Sequence, residues 1–394
     1  MQAHQTLPLN HILHILVLCC KSVLTDAEKQ LLYTYFQNCS CHLLFHTASQ
    51  HGVLPLLYHT LLTLFPGTYP TEEIKTELEK LRKQVRYLAQ KNMFMSAELI
   101  KMFRQFQSLD IKVLAFKGPT LAQSAYGDIT LRQYGDLDIL IKQKDVPKVI
   151  ALMKKNGYSP DVHIPKGQTD HLHQLLTTIG FDKPSSSMRI EVHWELLSLN
   201  YAVTWDTEAL WQKTDTVTIN RSSLPTLAFE HLLPYICVHG SKHLFERMEW
   251  ICDIDRIVRA QPDIDWEKIN SHAKHTGIER MYLLGLSLAH RFFDLPLPSS
   301  ILTKIEQDTA LPKLTQTIIA LHFSDTEQHI VDKNYFFILL RMRERFTDKL
   351  RFGYQAFFAP QFNDFNYLPL PRYLHFLYPL VRIYRLGQKY LFTK

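Results

Sequence analysis

Gly135-Asp136-Leu137-Asp138-Ile139-Leu140-Ile141 reads as a short strand with carboxylates where strands usually carry apolar side chains. Successive side chains of a strand point to opposite faces, so Asp136 and Asp138 share one face while Leu137, Ile139 and Ile141 share the other. About fifty residues later, Arg189-Ile190-Glu191-Val192-His193-Trp194 alternates in the same way, with Glu191 set between Ile190 and Val192. Carboxylates on a half-buried strand repel each other and lose hydration, at a cost of several kcal/mol per ion unless a cation or proton compensates. An Asp-x-Asp pair also occurs on solvated edges and in turns, where it needs no partner; the apolar alternation here argues for a compensated site. The fitting compensator is Mg²⁺, a hard ion that takes oxygen ligands and shares them with phosphates.

The chain is long enough, at 394 residues, for one large domain or two with sizeable cores. Its 46% hydrophobic and 21% charged residues are those of a folded chain and exclude extensive disorder. The six cysteines form no C-x-x-C pair, which argues against a zinc ribbon or thioredoxin-type site and for a reducing, cytoplasmic setting. The apolar run from His11 to Cys20 has no basic residue before it and is too short to span a bilayer, so no transmembrane segment is expected. Charge is uneven: from Arg341 onward ten Lys or Arg face three acids, a net +7 against +6 for the whole chain. Such a basic aromatic tail suits either a helical cap, whose long basic stems cover apolar surface, or contact with a membrane surface or a phosphorylated or nucleic-acid partner.

Glycine is scarce and apolar residues recur mostly at helical spacing outside one central stretch. Helices are expected near 10–21, 26–38 and 42–64, and then from Thr71, as N-cap, to Ser108. Lys112–Phe116 is a strand candidate, Lys117-Gly118-Pro119 a turn into a short helix over Thr120–Ala125, and Asp145–Asn156 a helix ending at Gly157. His171–Ile179 and Met188–Leu196 are further strands. Beyond Asn220 helices are expected again, among them Pro225–Val238, Lys242–Ala260, Asn334–Phe352 and Pro371–Tyr390. The fold class is therefore α+β and mainly helical: an N-terminal helical region (1–108), a small α/β catalytic block (109–220) and a C-terminal helical domain with the basic tail (221–394).

A strand, a Gly turn, a short helix, a strand bearing D-h-D and a later strand bearing a third acid resemble the nucleotidyltransferase (polymerase β-like) superfamily. The closer resemblance is to its bacterial uncharacterised nucleotidyltransferases. It is carried by Lys117-Gly118, Leu121-Ala122, Tyr126, Leu131-Arg132, Asp136-Leu137-Asp138-Ile139-Leu140 and Ile190-Glu191-Val192-His193-Trp194. It continues through His239-Gly240, Lys242-His243, Arg247 and Trp250-Ile251-Cys252-Asp253-Ile254, with His51-Gly52-Val53-Leu54-Pro55-Leu56-Leu57 upstream. The departure is at the first turn, where the superfamily's Gly-Ser is replaced by Lys117-Gly118-Pro119 and the spacing to Asp136 is long.

The resemblance implies two Mg²⁺ ions, with Mn²⁺ as substitute, held by Asp136, Asp138 and Glu191, and an NTP donor whose nucleoside monophosphate passes to a hydroxyl as pyrophosphate leaves. Lys117, Gly118, Thr120 and Arg132 are the expected phosphate-binding residues, Thr120 supplying the missing hydroxyl. For Arg132 a salt bridge to Asp128 or Asp136 is the competing expectation. No nucleic-acid-binding module is visible, so the acceptor is expected to be a small molecule or protein. A catalytically silent scaffold that keeps the fold is the alternative.

Among the histidines, His193 falls on the Glu191 face, to orient substrate or to sit neutral in the core. His163, His171 and His173 lie near the sheet without a third ligand spaced for zinc. His243 and Arg247 are substrate candidates on a helix near 236–256, with helix packing and a surface salt bridge as the competing reading. Trp250 and Asp253 read as structural.

Overall fold

The computed structural model describes residues 11–38, 41–67, 72–162, 176–186, 188–198, 201–203, 205–323 and 331–391. The chain is mainly helical around a small mixed sheet. Four helices lead in: α1 (His11–Cys20), α2 (Asp26–Asn38), α3 (Cys41–Gln50) and α4 (Leu54–Leu64). They are followed by α5 (Glu72–Ser108), whose 37 residues contain neither Gly nor Pro and are rich in Glu, Lys, Leu and Arg, all good helix formers. The sheet strands are β1 (Val113–Ala115), β2 (Asp136–Ile141), β3 (Ser159–Pro160), β4 (Thr178–Lys183) and β5 (Met188–His193), with α6 (Pro119–Tyr126) and α7 (Val146–Lys155) between them. After α8 (Thr207–Gln212) comes a hairpin of β6 (Thr214–Ile219) and β7 (Ser222–Leu227).

The C-terminal helices are α9 (Phe229–Lys242), α10 (Met248–Arg259), α11 (Trp266–Thr276), α12 (Glu279–Phe293), α13 (Ser299–Gln307) and α14 (Leu311–His322). The chain ends in α15 (Val331–Arg341), α16 (Phe346–Phe357), α17 (Phe362–Tyr367), a 3₁₀ turn (Arg372–Leu377) and α18 (Tyr378–Leu391). Among the described residues no helix is long and apolar enough to cross a membrane.

The five strands run in the order β1-β2-β5-β4-β3, with β2 and β5 parallel and the other neighbours antiparallel. Strand alternation divides the sheet between two cores. Val113, Ala115, Leu137, Ile139, Ile141, Ile190 and Val192 face one of them, together with Leu99, Phe103 and Phe106 of α5 and Val149 and Met153 of α7. Leu114, Phe116 and Leu140 turn to the other, the larger core of α1, α4, α9, α10 and α12. The carboxylates of β2 and β5 project on this second side, between the sheet and the C-terminal helices.

Five expectations from sequence are corrected. The helix placed over 42–64 is two helices, because the chain turns at Gly52 with φ of +72°. The helix placed from Pro225 starts at Phe229, after a hairpin whose turn residues Asn220 and Arg221 hold φ of +47° and +62°. The helices placed over Lys242–Ala260 and Asn334–Phe352 are each interrupted, at His243–Arg247 and Met342–Arg345. The strand placed over His171–Ile179 starts only at Thr178 and runs on to Lys183. Thr71, His163, His171 and His173 lie outside the described residues.

Candidate active site

The parallel pairing of β2 with β5 assembles the site. Its register sets Asp138 beside Glu191 and Leu140 beside His193, while Asp136 pairs with Arg189. One ligand atom from each of Asp138, Glu191 and His193 can be chosen so that all lie within 4.8 Å of one another. His193 Nε2 is 3.2 Å from Asp138 Oδ1 and 3.6 Å from Glu191 Oε2. Lys117, in the turn between β1 and α6, donates from Nζ to the same Asp138 oxygen at 3.1 Å. Burial alone would raise the Asp138 carboxyl, but Lys117 and His193 hold it well below the usual carboxylate range. Glu191 is also lowered, chiefly by its contact with His193. Asp136 has no such partner; burial and the neighbouring charges of Asp138 and Glu191 raise it, against the pull of Lys117. It faces the same cavity as the other three but stands outside their ligand cluster.

Two of the expected phosphate-binding residues have other employment. Thr120 is fully buried, and its hydroxyl donates to the carbonyls of Ala115 and Lys117, so it fastens the strand-to-helix turn instead of presenting an OH to a ligand. Arg132 is buried too, but its partner is neither Asp128 nor Asp136. Its Nε and Nη2 each donate at 2.8 Å to the two oxygens of Asp253 on α10, a bidentate pair completed by the Tyr126 hydroxyl. Asp128 instead accepts from Thr130 within its own turn. Gly118 makes the turn itself, with φ of +57° and the Asp136 carbonyl 3.3 Å from where a Cβ would stand.

A cavity of about 530 Å³ opens over the carboxylates. Lys91 of α5, Lys117, the Asp253-paired Arg132, Lys242 of α9 and Arg247 of the α9–α10 connection supply its cations, and the aromatic rings of Tyr235, His239, His243 and Trp250 complete that side. His243 lines the cavity, its ring 5.0 Å from both His239 and Trp250, and burial lowers its pKa to about 4, so it is neutral near pH 7. The connection that carries it folds back so tightly that Phe245 packs onto Gly240, where a Cβ would come within 2.2 Å of the ring. Sequence reading passed over Lys91, Lys242 and Glu249 as site residues. Lys242 was marked only by its place beside His243, and nothing distinguishes Lys91 from the solvated lysines of its helix.

Glu249 is the least comfortable carboxylate of this cavity. Its Oε2 lies 3.1 Å from Arg247 Nη2 and against Gly52, where a Cβ would come within 1.9 Å of it. That contact gives the Gly52 turn its reason. Burial, with help from Asp253 and Asp136 and against Arg132 and Arg247, pushes the carboxyl from its ordinary 4.5 up to about 7. A carboxyl raised in the folded state costs stability wherever the unfolded chain is ionised: nothing well below pH 4.5, a growing amount between 4.5 and 7, and the full amount above 7. Glu249→Gln should therefore leave unfolding free energy at pH 4 unchanged and raise it at pH 8 by up to about 3 kcal/mol. Urea titrations at the two pH values measure this, and equal stabilities at pH 8 would contradict it.

The model of a family described as uncharacterised nucleotidyltransferase matches residues 39–294, well over half of the chain. The chain belongs to that family. No curated protein matches it. Among solved structures, it is similar to an antigenic nucleotidyltransferase-like protein from Paracoccidioides brasiliensis, at 13% identity and a TM-score of 0.31, over 52% of this chain and 94% of that one. For a member of a nucleotidyltransferase family, the site passes a test of fit to a divalent cation: two carboxylates and an imidazole converge from two adjacent strands, half to fully buried, with a further carboxylate facing the same space. The donor set is mixed, since carboxylate oxygens suit Mg²⁺ and Mn²⁺ whereas imidazole suits transition metals.

Proposed function

We propose that the chain transfers a nucleoside monophosphate from an NTP to a hydroxyl of a small molecule or protein, with release of pyrophosphate. The observation that carries this reading is the convergence of Asp138, Glu191 and His193 in a cavity that is also lined by Asp136 and five cationic side chains, of which Arg132 is already paired with Asp253. Asp138, Glu191 and His193 hold a divalent cation, Mg²⁺ with Mn²⁺ as substitute, and Asp136 extends the set toward a second. Bound there, the metal supplies charge neutralisation for the phosphates and a lowered pKa for an acceptor hydroxyl.

Lys117, Lys242 and Arg247 bind the triphosphate by charge, the work first expected of Arg132 and Thr120. The rings of Tyr235 and Trp250 flank the space left for the base or the acceptor. As the new oxygen–phosphorus bond forms and the α–β anhydride bond breaks, Glu191 takes the acceptor's proton. Preorganised charge, already fixed by the sheet register, supplies most of the rate. The setting is cytoplasmic, in keeping with free buried thiols at Cys19, Cys20, Cys41, Cys237 and Cys252.

One contact favours the silent alternative: the Lys117 ammonium already compensates Asp138. Thermal unfolding separates the two. Each NTP with Mg²⁺ or Mn²⁺, at about 100 times its Kd, should stabilise the protein by about 2.7 kcal/mol, seen as a Tm rise of several degrees. In Asp138→Asn, which removes a carboxylate of the ligand cluster, the metal-dependent part should vanish. A wild-type Tm indifferent to every nucleotide and metal pair would end the enzymatic reading.

A further inference from the structure

The C-terminal helix α18 buries an arginine and leaves large apolar side chains in water. An amphipathic helix on a protein surface buries its apolar stripe and leaves its charges in water. Here Arg382 is 3% exposed, while Leu380, Ile383 and Tyr384 are 62%, 45% and 59% exposed. Asp364 fixes that orientation: fully buried on α17, it accepts from Arg385 Nε at 2.6 Å and from Arg382 Nη1 at 3.4 Å, and Arg382 Nε also donates to the Ala356 carbonyl. The neighbouring helix also exposes an apolar stripe. Phe346, Leu350, Tyr354 and Phe357 of α16, spaced as one helical stripe, are exposed, whereas Phe352 on the other side is stacked on Phe336 and covered by Arg343. Tyr373 and Phe376 of the 3₁₀ turn are more than 70% exposed. Singly exposed apolar residues are ordinary, but a run of large ones across three packed elements marks a surface that something covers.

Charge identifies the cover. The tail has three acids, and none is exposed: Asp364 is buried between arginines, Glu344 accepts the Glu279 amide, and Asp348 is tucked against Gly277. Among the described side chains of the tail, the exposed charges are Arg341, Arg345 and Arg351. A second copy of this chain would bring the same positive charges face to face, which opposes self-association. A layer that is apolar inside and negative at its surface matches both features, and interfacial Tyr and Phe with flanking basic residues are how proteins seat on such a layer.

We infer that the α16–α18 face docks on an anionic lipid bilayer, holding the cavity of this chain beside a membrane without crossing it. The full-length protein should cosediment with vesicles of phosphatidylcholine containing about 30% phosphatidylserine and bind pure phosphatidylcholine vesicles at least about tenfold more weakly. Leu380→Glu/Ile383→Glu, which alters only exposed positions, should reduce anionic-vesicle binding by at least about tenfold with an unchanged melting curve. Arg341→Glu/Arg351→Glu should do the same through charge. Failure to cosediment, equal binding to neutral vesicles, or full binding by the folded variants would overturn the inference. So would a concentration-dependent dimer that Leu380→Glu/Ile383→Glu abolishes while vesicles leave the wild type in solution, which would assign the face to a second copy.

Discussion

Asp138→Asn is expected to lower nucleotidyl transfer by about a thousandfold or more, the largest effect of any single substitution on activity. The side chain keeps its shape but loses the charge on which both Lys117 and His193 converge, at 3.1 and 3.2 Å. Two consequences follow from one change. The proposed metal loses its most buried carboxylate, and the Lys117 ammonium is left without its partner in a site only 13% exposed, which should cost about 3 kcal/mol of stability. Glu191→Gln separates the two effects. Glu191 is 29% exposed at the side chain, so its loss should change stability by no more than about 1 kcal/mol. Its transfer rate should nevertheless fall by about a hundredfold or more, through the metal and the acceptor proton. Initial rates at saturating nucleotide, paired with urea unfolding of each variant, measure both quantities. An Asp138→Asn protein that is folded and active would remove the site from the reaction.

Asp253→Ala should produce the largest loss of stability, about 3–5 kcal/mol, because it strands a buried arginine. Arg132 is 6% exposed and Asp253 fully buried, and the pair ties the loop before β2 to helix α10, on which Trp250 lines the cavity. Without the carboxylate, the guanidinium keeps its desolvation penalty and loses two hydrogen bonds, and the Tyr126 hydroxyl loses its acceptor at 2.7 Å. The same physics makes the paired replacement mild. Arg132→Met/Asp253→Leu removes both charges and fills similar volume, so it should recover most of the lost stability. Urea unfolding of the two variants beside wild type tests this. Equal stability for Asp253→Ala and wild type would show that the pair ties nothing, whereas a double variant as unstable as the single one would point to packing in place of charge.

The two strands that carry the site, β2 and β5, could be read from the sequence because strand alternation is local: Leu137, Ile139, Ile190 and Val192 on one side and Asp138, Glu191 and His193 on the other follow from a period of two, whereas β3 and the true place of β4 could not. The β6–β7 hairpin also left a signal, since Thr214-Asp-Thr-Val-Thr-Ile219 is a β-branched alternation followed by Asn220, a residue that tolerates positive φ. Pro225 outweighed it, because proline near a helix start mimics an N-terminus. The interruption at His243–Arg247 left no such mark. Neither Gly nor Pro stands there, and Leu244 and Phe245 adopt φ of +52° and +51° because Phe245 packs over Gly240.

Arg132 was misplaced for a different reason. An arginine in a loop looks the same whether it meets a phosphate or a buried aspartate, and its partner lies 121 residues away in the chain. Lys91 was hidden likewise in a helix full of solvated charges, and only the packing of α5 against the sheet brings it to the cavity. Tertiary pairing of charge is the part of this site that no local pattern encodes.

The most direct test of nucleotidyl transfer is to incubate the protein with α-labelled ATP, CTP, GTP or UTP and Mg²⁺ or Mn²⁺ in a lysate, then separate protein, nucleic acid and small molecules. The expected result is label in the small-molecule or protein fraction as a new nucleotidyl adduct, dependent on metal and absent with Asp138→Asn. Folded wild-type protein that moves label into no fraction, with any nucleotide or metal, would contradict the account.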